Sequence, residues 1–138
     1  YKRGENGEMK PLESLKYLLI SEKGCADTEH VHELPTPDGR LPLKTTTFDH
    51  DAFIIDNQQV SKVVLESCEG EPFVSLEFDT PALGLWSPAG LNAPFVCIEP
   101  WYGRCDRAGF TGEFSEKDLV NAVEQGQSFR ASYTIEVF

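Results

Sequence analysis

Apolar and polar residues alternate with a period of two along most of the chain, so strands rather than helices are predicted. Phe129, Ala131, Tyr133, Ile135 and Val137 fall on one face, and Arg130, Ser132, Thr134 and Glu136 on the other. That is the pattern of a half-buried antiparallel strand. Val74, Leu76 and Phe78 alternate with Ser75 and Glu77 in the same way. Residues 60–66, 15–20 and 52–55 read as further strands, and residues 83–86 as a short one bounded by Pro81 and Pro88. Residues 95–98 are apolar at every position, which predicts a strand covered on both sides. Pro100 lacks a ladder donor and is expected to end it. Turn signals at Pro37-Asp38-Gly39, Asp56-Asn57, Glu69-Gly70, Ala89-Gly90 and Gln125-Gly126 separate the runs. One short helix is expected over 115–123, capped by Ser115. Residues 24–44 read as a polar surface excursion and residues 1–10 as loop. Strands at this spacing make an all-β antiparallel sandwich or barrel.

Length and charge narrow the classes. The 138 residues are a one-domain length, enough to bury roughly 68% of the unfolded surface. With 23 acidic and 12 basic residues the net charge is −11. That balance argues against a nucleic-acid partner and against an anionic membrane surface. No apolar run approaches the roughly 20 residues of a membrane-spanning helix. Cys25, Cys68, Cys97 and Cys105 have the spacing of neither a zinc ribbon nor a disulfide framework. They read as reduced thiols, which points to the cytoplasm.

Few groups offer chemistry. Glu99 follows Phe95-Val96-Cys97-Ile98 and by strand parity shares a face with Phe95 and Cys97. A carboxylate set among apolar groups is costly unless it is paired or used. The functional alternative is a general base or acid; the structural one is a strand-end glutamate paired with an arginine such as Arg104. Asp49-His50-Asp51 at the entry to the 52–55 run could orient a polar ligand or form a turn. His30 and His32 form an H-x-H with no third ligand in view, so a loop is expected and no metal. Trp86 and Trp101 offer planes for sugar stacking or for core packing. Neither a phosphate loop nor a G-x-S-x-G elbow is present.

Together these segments resemble a known family. Ala93-Pro94-Phe95-Val96-Cys97-Ile98-Glu99-Pro100-Trp101-Tyr102-Gly103 is similar to the C-terminal signature of aldose 1-epimerase (galactose mutarotase)-like proteins, in the bacterial branch with a CIEPW motif. Residues 48–55, 83–87 and 129–137 resemble three further family segments in the expected order. The resemblance implies an antiparallel β-supersandwich and interconversion of the α and β anomers of a free hexose, with no cofactor. It implies Glu99 as the base that takes the C1 hydroxyl proton. Asp51 matches the sugar-binding aspartate, Asp49 competes for that role, and Trp86 and Trp101 match aromatic positions near the sugar.

The family's acid histidine lies in an H-P-x-F-N motif that this sequence lacks, and family members are about twice as long. The 138 residues are therefore expected to be the C-terminal part of one mutarotase-like domain, self-associating or pairing with an N-terminal half. Arg104 and Arg107 are weak candidates for a sugar phosphate. A non-catalytic carbohydrate-binding module on the same fold is the alternative. A glycoside hydrolase using Glu99 and Asp51 is a more distant one.

Overall fold

The structure, a computed structural model, describes residues 1–21 and 23–138. First in order is a hairpin of β1 (Lys2–Arg3) and β2 (Met9–Lys10). Next, β3 (Ser14–Tyr17) pairs with β4 (His32–Pro35). Two three-stranded sheets follow. They are built from β5 (Phe53–Ile55), β6 (Lys62–Glu66), β7 (Pro72–Phe78), β8 (Ala82–Trp86), β9 (Cys97–Trp101) and β10 (Tyr133–Val137). One sheet has the order β5-β8-β9 and the other β10-β7-β6, with every pairing antiparallel. Among the described residues there is no α-helix, only 3-10 turns at Pro37–Gly39 and Phe114–Glu116. The all-β expectation holds.

Register decides which side chains meet. Ile55 pairs with Leu83 and Phe53 with Leu85, while Leu85 and Ile98 pair on the far side of β8. These apolar residues share one face of the first sheet. They pack with Leu76 and Phe78 of the second sheet, and with Leu15, Phe48 and Val60, as the main core. Ile55 and Leu83 are almost fully buried, and each such side chain contributes about 1.5–3 kcal/mol. The opposite face of the first sheet carries Ile54, which packs with Leu18 and Ala26 as a second cluster. A bridge from Leu18 to Ile54 brings the continuation of β3 alongside β5.

Several expectations need correction. β9 runs through Pro100 to Trp101 rather than ending at the proline. β9 lies at a sheet edge and needs ladder bonds on one side only, so the missing N–H is tolerated. Nor is β9 covered on both faces; all five residues are half-buried. The 115–123 helix is absent: Phe114–Glu116 form one 3-10 turn, Glu113 supplies the cap instead of Ser115, and Leu119 has φ 57°. The 24–44 excursion contains β4, and the 1–10 loop contains the β1-β2 hairpin. The last strand spans Tyr133–Val137 only, and all of its residues are exposed rather than half-buried. Tyr133, Ile135 and Val137 pair with Phe78, Leu76 and Val74 and so extend the apolar face of β7. The core packed against β7 does not reach over them.

Candidate functional site

Glu99 sits in the middle of β9, opposite Gly84, and Gly84 is in turn opposite Ile54. That row places Glu99 on the face away from the main core, beside the second cluster. Its neighbours there include apolar groups, as parity predicts, while the main core lies against the face that carries Ile98. Phe95 precedes β9, is 50% exposed and packs its ring against Trp86, with 6.3 Å between centroids. Glu99 is thus half-buried rather than immersed in the core.

Trp101 lies two residues along the same face. Its indole Nε1–H donates to Glu99 Oε2 at 3.1 Å. The ring can lie there because Gly84 has no side chain: a Cβ on Gly84 would come within 2.5 Å of Cζ2 and 2.9 Å of Cη2. On the other side of Glu99 along the same face stands Cys97, opposite Trp86. Burial first, then the nearby Glu99 carboxylate, push its thiol pKa above the usual range. The carboxylate therefore has the indole as its side-chain donor, on an edge strand.

Trp86 pairs with Cys97, so its ring is one step from Glu99 along the same face. Asp51 and Asp49 lie just before β5, at the end of the sheet that Trp86 also occupies. Both are exposed, and Asp51 takes a left-handed backbone (φ 73°) with its Oδ1 accepting from Ala52 N at 2.7 Å. The aspartates thus form the turn into β5 and still present carboxylate to solvent.

Arg104 does not pair with Glu99. It donates to Asp118 at 2.9 Å and sits 3.6 Å from Asp56, and Arg107 binds the same Asp118. The H-x-H histidines diverge: His30 pairs with Asp27 at 2.9 Å, and His32 stacks on Tyr17. Among the described residues no group of three or more metal-binding side chains gathers. A groove of about 470 Å³ opens on the opposite face of the sheet, lined by Leu15, Phe48, Ile55, Leu83 and Ile98, away from Glu99.

Sequence reasoning placed Cys97 on the face of Glu99 but missed one residue of this group. Gly84 becomes visible only once the β8-β9 register is known. Chemically, one face of β8 and β9 offers an oriented carboxylate and a tryptophan ring, and the exposed aspartates stand at the end of the sheet that Trp86 also occupies.

No family profile matches the sequence. A galactose mutarotase related enzyme from Lactobacillus acidophilus superposes on 98% of this chain with a TM-score of 0.76 at 25% identity. The match covers 48% of that protein. A galactose mutarotase-like protein from Lactobacillus casei ATCC 334 superposes on 91% of this chain with a TM-score of 0.69 at 26% identity, over 42% of its own length. LacX of Lactococcus lactis subsp. lactis, chromosomal and plasmid forms alike, is 30% identical over 98 residues, or 70% of this chain. The chain spans about a third of LacX (32%) and less than half of each solved relative. Two antiparallel sheets that superpose on mutarotase-related structures, and a sequence match to LacX, establish that the chain belongs to the galactose mutarotase-like family.

Proposed function

We propose that this chain carries the basic half of an aldose 1-epimerase site, with a free hexose as substrate. The observation that supports this best is Glu99, a half-buried carboxylate oriented by the Trp101 indole on an open sheet edge. Glu99 takes the proton from the C1 hydroxyl as the C1 to ring-oxygen bond breaks and the ring oxygen gains a proton. Rotation about C1–C2 turns the aldehyde, the ring closes on its other face, and Glu99 returns the proton. An oriented general base contributes about 10²- to 10⁴-fold. Asp51, with Asp49 beside it, accepts hydrogen bonds from sugar hydroxyls, and Trp86 presents its face to the C–H face of the ring. The family assigns protonation of the ring oxygen to a histidine in a motif this sequence lacks, so proton transfer by Glu99 is this chain's share. No metal or organic cofactor is required by this chemistry, and the proposed setting is the cytoplasm. No helix among the described residues is long and apolar enough to cross a membrane.

Magnetisation-transfer NMR of glucose and galactose tests the reading on this chain paired with a mutarotase-like N-terminal half that supplies the acid, with sugar affinity measured by calorimetry on the same samples. Catalysed exchange between anomers is the expected result. Saturable binding without exchange would replace the isomerase by a carbohydrate-binding module on the same fold, and release of a chromogenic aglycone would favour a glycosidase.

A further inference from the structure

Trp101 has two fixed sides. Its Nε1–H is committed to Glu99 Oε2 at 3.1 Å. The benzo edge of its ring occupies the gap above Gly84 and packs against the cluster of Leu18, Ala26 and Ile54. Ala82, its ladder partner, is buried and as small as a side chain can be, so the β8 strand beneath the ring is nearly bare. A ring held by its polar edge and wedged along its apolar edge is a poor platform for a ligand that comes and goes. It is well placed to hold something else still.

We propose that Trp101 is a positioning residue for Glu99, seated by the missing side chain of Gly84, and that it does not bind the sugar. This rests on Glu99 being the base proposed above. The indole N–H fixes one carboxylate oxygen, so the carboxylate meets the C1 hydroxyl already oriented. Small misplacement of a reacting group costs up to about 10²-fold in rate. Trp101 therefore acts on the chemical step, and substrate affinity falls to other groups.

The test has a structural readout and a kinetic one. The chain has two tryptophans, so a proton–nitrogen NMR spectrum shows two indole signals. The Trp101 signal is the one lost in Trp101→Phe. Glu99→Gln is expected to move that signal and leave the Trp86 signal in place. In the exchange assay, Trp101→Phe keeps a ring but removes the donor. It is expected to lower kcat about 10- to 100-fold, with KM within about twofold. Gly84→Ala, whose Cβ collides with the indole, is expected to shift the Trp101 signal and lower kcat in the same way. A raised KM with unchanged kcat in Trp101→Phe would make Trp101 a sugar platform and overturn the proposal. A Trp101 signal indifferent to Glu99→Gln would overturn it even in an active protein, leaving the epimerase reading intact. Anomer exchange absent from the wild type, with the indole signal still responding, would remove the epimerase reading and the catalytic role of the pair with it.

Discussion

Asp118 accepts hydrogen bonds from both Arg104, at 2.9 Å, and Arg107, and so ties the loop after β9 to the segment that follows the Phe114–Glu116 turn. The Arg104 side chain is only 5% exposed, and its Nε has no hydrogen-bond partner of its own. Asp118 is thus the main compensation for a nearly buried charge, with Asp56 at 3.6 Å a weaker second. Removing one member of such a pair leaves the other desolvated and unpaired. Asp118→Ala is expected to destabilise the fold by about 2 kcal/mol, read as a lower urea midpoint. Asp118→Asn, which keeps an acceptor, is expected to lose less. Because these arginines are engaged by carboxylates, a hexose phosphate is expected to bind no more tightly than the free hexose.

The β10 strand predicts a solution property. Tyr133, Ile135 and Val137 are 63%, 57% and 78% exposed, and β10 is the edge of its sheet. An apolar edge strand is a template for pairing with another chain. Sedimentation of this chain is expected to show concentration-dependent self-association. Ile135→Lys combined with Val137→Lys is expected to return it to monomer at unchanged circular dichroism, since neither side chain is buried. A wild-type monomer at all concentrations would contradict this.

The Asp27–His30 pair predicts a pH dependence. The hydrogen bond that His30 Nδ1–H donates to Asp27 first, and the Asp27 charge second, raise the His30 pKa above the ordinary histidine value; the same bond lowers that of Asp27. A raised histidine pKa contributes stability that is complete below the unfolded value and is lost as pH rises through the folded one. A lowered aspartate pKa contributes above its unfolded value and is lost as pH falls through the folded one. The pair is therefore most favourable at mildly acidic pH. An NMR titration is expected to place the His30 midpoint above about 6.5, and Asp27→Asn is expected to lower it. Both groups are open to solvent, so the effect on global stability is expected to be small.

Strand positions were legible because a period of two survives in residues such as Val74 to Phe78 and Ala52 to Ile55. What covers a strand was not legible. The alternation at Tyr133, Ile135 and Val137 shows which face is apolar, but only the packing shows that the face stays open. β4 escaped notice because His32-Glu33-Leu34-Pro35 has no β-branched residue and takes its strand form from pairing with β3. Glu99 was found from its apolar run and motif, whereas the face it occupies followed from the register with Gly84. The Trp101 to Glu99 hydrogen bond depends on that same register and on the empty space above Gly84, and no sequence spacing reports either.

The most direct measurement compares anomer exchange of galactose and glucose in the wild type and in Glu99→Gln, each paired with the N-terminal half that supplies the acid, by magnetisation-transfer NMR at matched protein concentration. The substitution keeps the size of the side chain and an acceptor for the Trp101 indole, so the unfolding free energy is expected to stay within about 1 kcal/mol. Catalysed exchange in the wild type that falls by about 10²-fold or more in Glu99→Gln is the predicted result. Exchange that persists at the wild-type rate in Glu99→Gln would contradict the assignment of Glu99 as the base.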